Sequence, residues 1–221
     1  MSVYGRGLSV FHICNMISQM FIELYDREEK KMLKDLVAKN RSYRRFNQDV
    51  EVGMKNLEEL IGLARIVPCG ANAQALKFMP VCDKEKCAEL FETIGWAGAL
   101  PDWDGPVEGE RPTGYIIVLC DLTIGKNKQT DVGIAAQTML LGAVEKGFGG
   151  IMLGNIKRTE IAKIMNIDTE RYTIDLMIAI GEPKEDIRIV DVPESGATTY
   201  YRDENMVHYV PKRSLEELII K

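Results

Sequence analysis

Arg41, Arg44 and Arg45 crowd into Asn40-Arg41-Ser42-Tyr43-Arg44-Arg45-Phe46, with a serine hydroxyl between them. Arginine supplies a planar fork of donors and serine a short donor that can approach an oxygen closely, a combination suited to a phosphate; a solvated basic turn would have the same composition. A second stretch, Pro68-Cys69-Gly70-Ala71-Asn72-Ala73-Gln74, presents two side-chain amides two positions apart. Asn72 and Gln74 can each donate and accept, as reading the carbonyl and N–H edge of a heterocycle requires, although loop amides are also ordinary turn formers. A third stretch, Val210 to Glu217, carries the basic pair Lys212-Arg213, which could close over an anion or remain a surface charge pair.

The composition narrows these options. With 221 residues and 46% hydrophobic content the chain can bury a substantial core in one main domain. A formal charge of -5 argues against a nucleic-acid surface, so the arginine cluster points to one small anion. Cys14, Cys69, Cys82, Cys87 and Cys120 are scattered and odd in number, which suits reduced core cysteines and a cytoplasmic setting. Cys69 reads as a steric filler in its turn rather than a redox nucleophile. With only His12 and His208, and neither HExxH nor paired CxxC spacing, no metal site is expected. No P-loop is present, and Gly147, Gly149 and Gly150 follow a helical run, so they read as a helix stop rather than a dinucleotide fingerprint.

These residues must be positioned by an alternation of helices and strands. Periodicity predicts helices over Leu33–Lys39, Met54–Val67, Gln129–Lys146, Arg158–Met165 and Ser214–Ile220, and one capped by Asp83 and running to about Thr93. Strands are predicted over Phe78–Cys82, Tyr115–Asp121, Ile151–Leu153, Tyr172–Gly181 and Ile187–Val192. Small residues of the central helix, Gly133, Ala135, Ala136, Gly142 and Ala143, would permit close packing. Gly95–Gly114 holds both tryptophans and three prolines without a period and reads as a long ordered loop, with Trp96 and Trp103 as candidate walls of a substrate pocket. Dimer packing is the competing use of that loop.

Residues 1–31 read as an N-terminal extension, the main domain spanning 32–221. Leu8–Tyr25 is interrupted by His12, Asn15, Ser18, Gln19 and Glu23, so it makes a poor membrane span; Val10, Ile13, Cys14, Ile17, Met20, Phe21 and Leu24 have the spacing of an amphipathic helix. No membrane association is expected.

Taken together, the three stretches resemble the nitroreductase superfamily of flavoproteins. Asn40 to Phe46 is similar to its RRSxRxF-like opening and Pro68 to Phe78 to its PSxxNxQPWxF-like turn. Asp131 to Gly150 resembles its central helix, Ile180-Gly181-Glu182-Pro183 its strand-ending Gly-x-Pro, and Lys212-Arg213 with Leu215-Glu216-Glu217 its closing segment. The resemblance runs from about Met32 to the end of the chain. Asn40 stands where the family has its leading arginine, and Ala75-Leu76 where Pro-Trp is common.

The resemblance implies an α+β fold, a central mixed or antiparallel sheet flanked by helices, in an intertwined homodimer that binds FMN at its interfaces. Arg41, Ser42, Lys212 and Arg213 would hold the phosphate, and Arg44 would face the pyrimidine edge of the ring. Pro68, Gly70, Asn72 and Gln74 would form the turn against ribityl chain or ring edge, in part from the neighbouring chain. Leu153, Gly154 and Asn155 would present backbone N–H groups near flavin N5. The implied activity is ping-pong hydride transfer from NADH or NADPH through N5 to a nitroaromatic, quinone or similar small acceptor, with no catalytic side chain because the flavin carries the chemistry. Ene reduction, dehalogenation, flavin breakdown, or a non-catalytic module binding another phosphorylated ligand are the alternatives.

Overall fold

A computed structural model describes residues 32–96, 98, 100, 103–126 and 128–220. The amphipathic segment expected over Leu8–Tyr25 lies outside the described residues. The chain divides into two compact units between Lys39 and Asn40. In the first, residues 32–39 are helical, as their periodicity predicts.

The second unit is organised by two long strands, β3 (Gly114–Asp121) and β5 (Tyr172–Pro183), which pair antiparallel along the whole of β3. β3 carries Tyr-Ile-Ile-Val-Leu-Cys and is buried at every residue, the pattern of a strand covered on both faces. Beyond it lies β2 (Leu76–Val81). The other edge of β5 is shared by β4 (Gly149–Leu153) and, farther along, β1 (Phe46–Asn47). All pairings in this five-stranded sheet are antiparallel.

Side chains of β3 alternate between two cores because successive residues of a strand point to opposite faces. Tyr115, Ile117 and Leu119 pack with Cys87 and Leu90 of α2 (Lys84–Phe91) and Ile161 of α4 (Arg158–Ile164). Ile116 and Val118 pack with Leu57 and Leu60 of α1 (Met54–Ile66) and Met139 and Leu140 of α3 (Gln129–Glu145). The unit is therefore a helix–sheet–helix sandwich, and each fully buried Ile or Leu contributes about 1.5–3 kcal/mol relative to exposure. On the α1–α3 side Gly142 allows the close approach that the small residues of α3 foreshadow: a Cβ there would lie 2.3 Å from Leu63 Cδ1.

Local signals place most of the boundaries. Asp83 caps α2 by accepting from Lys86 N at 3.0 Å. Gly147, at φ 82, ends α3, with Phe148 N donating to Ala143 O at 2.8 Å. Gly149 and Gly150, read in sequence as part of that stop, instead begin β4. Ser214 and Glu217 form a reciprocal capping box on α5, which covers only Leu215–Leu218 of the helix expected to Ile220. Three strands were not anticipated: β1, β7 (Tyr201–Arg202) and β8 (His208–Lys212). The last two join β6 (Ile187–Asp191) in a small sheet of order β6-β8-β7, where β6 and β8 run parallel.

Candidate functional site

Strand β8 turns one face toward a cavity of about 350 Å³. His208, Val210 and Lys212, at alternate positions, all line it, as the period of two requires. Ile187 of β6, in register with His208, joins the same wall. Tyr209 between them donates instead to Asp203 Oδ2 at 3.1 Å and stacks on Tyr201.

The arginine-rich segment lines the same cavity. Asn40, Arg41, Ser42 and Arg44 line the cavity together with Gly150 and Met152 of β4. Ser42 bridges Gly150, and Tyr43 N donates to Gly150 O at 3.1 Å. That seating depends on the two glycines that open β4: a Cβ on Gly149 would lie 2.5 Å from the Tyr43 ring, and one on Gly150 2.4 Å from Ala179 O. Arg45 points elsewhere, clamping Glu110 through Nε (2.5 Å) and Nη2 (2.7 Å). This pair, with Lys184 at 3.2 Å, holds the Glu110 carboxyl at about 2.

Behind the cavity runs a buried polar network. Glu185 Oε2 accepts from the backbone N–H groups of Arg44 (2.6 Å) and Arg45 (3.3 Å), and Oε1 from Arg202 Nη2 (2.6 Å). Arg202 Nε donates to His208 Nδ1 at 3.3 Å, and its guanidinium lies 4.3 Å from the Trp103 ring. Tyr200 stacks on His208, and the Arg44 guanidinium sits 4.8 Å from the Tyr200 ring while donating to Ser42 O at 3.0 Å. Arg44 is 9% exposed, and burial lowers its pKa, against the opposing influence of Tyr200 and Glu185. Burial also lowers the pKa of His208. Among the described residues no carboxylate lines the cavity, whereas arginine, lysine, serine, asparagine and imidazole donors do. The arrangement is chemically suited to a phosphate monoester.

The remaining candidates form two further groups. Pro68, Gly70, Asn72 and Gln74 sit in the turn after α1, where Gly70 N donates to Asp131 Oδ1 at 2.9 Å. Ala71, Asn72 and Gln74 have φ of 54, 53 and 53°, a left-handed run of non-glycine residues of the kind that marks functional turns. Gln74 lines a separate cavity of about 490 Å³ with Cys69, Phe78 and Asp131. Leu153 ends β4 in the core, and Gly154 and Asn155 are exposed beyond it; Asn155 O accepts from Gly95 N at 2.9 Å, tying that corner to the start of the long loop. Trp96 packs into the core at 8% exposure, beside Phe91, and Trp103 is half-buried against Arg202. Arg213 is outside the cavity lining and pairs with Glu217 at 3.3 Å.

The sequence model described as Nitroreductase family matches residues 123–182, the stretch from the end of β3 through α3 and β4 to β5. A Desulfovibrio desulfuricans protein described as a nitroreductase and solved in complex with FMN superposes with TM-score 0.61 at 23% identity, over 86% of this chain and 95% of that one. A nitroreductase family protein from Clostridium difficile 630 superposes with TM-score 0.58 at 20% identity, over 84% and 95% of the two chains. The chain has the nitroreductase fold.

An enone reductase of gut-bacterial fatty acid saturation has this nitroreductase fold too, with TM-score 0.57 and 18% identity over 69% of this chain and 89% of its own. A search of curated proteins finds no sequence match. Family model and fold together support the nitroreductase superfamily. Within this nitroreductase fold, Arg41, Ser42, Arg44 and Lys212 meet at one cavity, while Cys69 and Gln74 of the Pro68–Gln74 turn line a different one, and Pro68, Gly70 and Asn72 line neither. Sequence reasoning missed Glu185, Tyr200, Arg202 and His208. The available signal was the alternation His208-x-Val210-x-Lys212, obscured by Pro211.

Proposed function

We propose that the chain is an FMN-dependent NAD(P)H oxidoreductase of the nitroreductase type, working as a cytoplasmic homodimer. The supporting observation is the carboxylate-free cavity in which Arg41, Ser42 and Lys212 converge, on a fold that a relative solved with FMN shares. Bound FMN would supply two-electron exchange, accepting hydride from NADH or NADPH and then reducing a nitroaromatic, quinone or similar small acceptor.

The protein's part is binding, orientation and electrostatics. Arg41 and Lys212 neutralise the phosphate and Ser42 donates to it, with Arg213, next to Lys212 in the chain, exchanging Glu217 for the phosphate. Arg44, fixed by Ser42 O and the Tyr200 ring, places a cation where it favours electron density on the neighbouring ring edge. In the homodimer the strained Pro68–Gln74 turn of one subunit supplies Gly70, Asn72 and Gln74 to the other subunit's cofactor. Backbone donors of Leu153, Gly154 and Asn155 would lie toward the reacting edge, and Trp103 would form a wall of the acceptor pocket. Trp96, whose ring is enclosed, acts through packing beneath that wall.

Release and identification of the bound cofactor, followed by anaerobic reduction with each nicotinamide, tests the reading. We expect flavin absorption bands, release of FMN, and a dimer mass by sedimentation. Turnover is expected with nitroaromatics or quinones, and enones belong in the panel because an enone reductase has the same fold. A protein that neither contains nor takes up FMN would overturn the proposal in favour of a module for another phosphorylated ligand.

A further inference from the structure

We propose that His208 is a neutral hydrogen-bond donor to the phosphate held in the carboxylate-free cavity, and that it sets selectivity for phosphorylated over unphosphorylated ligand. The inference rests on the proposed cofactor reading for the ligand's identity, but its own basis is geometric.

His208 is 1% exposed yet lines the cavity on the same face of β8 as Lys212. Its Nδ1 accepts from Arg202 Nε at 3.3 Å, so in the neutral ring the proton resides on Nε2. Arg202 cannot offer a different arrangement, because its Nη2 is held by the Glu185 carboxylate at 2.6 Å. The ring plane is fixed by stacking on Tyr200, with centroids 5.1 Å apart. Glu185 and Arg202 thus impose one tautomer and one orientation, the way a partner on the remote nitrogen orients a ligating histidine.

Neutrality is enforced as well. The ring is buried in a neighbourhood carrying Arg44 on the arginine-rich segment and Arg202 on β7, with Glu185 opposing them. Lys212 lines the same cavity. The result is a donor whose proton is available at neutral pH without adding a charge to an already cationic site. One hydrogen bond to a charged acceptor corresponds to about a tenfold change in affinity or more.

FMN and riboflavin share every feature except the phosphate, so their affinity ratio isolates this contribution. We expect His208→Leu to weaken FMN about tenfold and leave riboflavin within about twofold. His208→Gln, which retains an N–H donor, is expected to preserve most of the ratio. An unchanged ratio in His208→Leu, with FMN still bound, overturns the role of His208 while leaving the cofactor reading intact. Nitrogen-15 NMR gives a readout independent of flavin: the chain has two histidines, and the His208 signals are identified by their loss in His208→Gln. In the wild-type protein they should report the Nε2–H tautomer and shift on titration with inorganic phosphate. If no flavin binds but phosphate moves Nε2, the donor role stands and the cofactor reading falls. An Nδ1–H tautomer, or no response to phosphate and FMN, sinks the inference, including when His208→Leu fails to fold.

Discussion

Glu185 and Arg202 meet in an ion pair sealed from water: Arg202 Nη2 lies 2.6 Å from Glu185 Oε1, and the side chains are 8% (arginine) and 0% (glutamate) exposed. The other carboxylate oxygen receives the backbone of Arg44 and Arg45. The pair therefore joins the small C-terminal sheet to the arginine-rich segment that lines the same cavity.

Removing one partner should leave the other charge buried and uncompensated. Arg202→Met is expected to cost about 3–5 kcal/mol of stability, read as a shift in the urea unfolding midpoint. The double variant Arg202→Met with Glu185→Gln should recover part of that loss. A single-variant cost below about 1 kcal/mol would mean that water reaches the pair in solution.

Arg44 is oriented by Ser42 O and the Tyr200 ring. Arg44→Ala is expected to weaken FMN retention about tenfold or to slow anaerobic flavin reduction by a similar factor. Fluorescence titration and stopped-flow absorbance measure the two separately. Wild-type values in both would remove Arg44 from the cofactor site.

Acid should weaken the attachment of β1 to the long loop. The Arg45 hydrogen bonds, with Lys184 assisting, lower the Glu110 pKa from 4.5 to about 2, so folding is favoured by the ionised carboxylate. That stabilisation is complete above about 4.5 and disappears as pH falls toward 2, because the unfolded chain takes up the proton first. Allowing for solvent screening, Glu110→Gln should cost about 1–2 kcal/mol at neutral pH. The gap between wild type and variant should begin to close below about pH 4.5 and be largely gone near pH 2 in denaturant titrations, the window set by those pKa values. His208, whose depressed pKa also makes the fold acid-sensitive below about 6.5, is common to both proteins and cancels. A gap that does not change with pH would contradict the assigned pairing.

Gly150→Ala places a methyl 2.4 Å from Ala179 O and against Leu140. The neighbour is backbone of a central strand, which cannot yield cheaply, so a loss of about 2–3 kcal/mol is expected. Because Ser42 and Tyr43 are seated on the same residue, FMN affinity should fall with it. Thermal unfolding and FMN titration of the variant check both; a neutral result would show that β4 has room to shift.

The layered part of the fold was legible locally. The three-and-four spacing of Leu57, Leu60 and Ala64, the Asp83 cap and the unbroken apolar run of β3 each depend on near neighbours, and each predicted its element to within a few residues. β8 was not legible, because Pro211 argues against a central strand. It is accommodated where β7 no longer runs alongside, since β7 pairs with β8 only at Tyr209 and His208. Gly149 and Gly150 were misread for a similar reason: a glycine after a helix looks like a stop until the strand it lies against is known.

By itself the sequence determined the helices and longer strands of the layered sheet and, through ordered motifs, the resemblance to a flavoprotein superfamily. These depend on residue chemistry and short-range period. Tertiary structure alone decided that His208, 20 or so residues from its strand partner in β6, lines one cavity with Arg41 and takes its tautomer from Arg202. Such convergence is set by strand register and by which buried charges find partners, and neither quantity is encoded in any local stretch of chain.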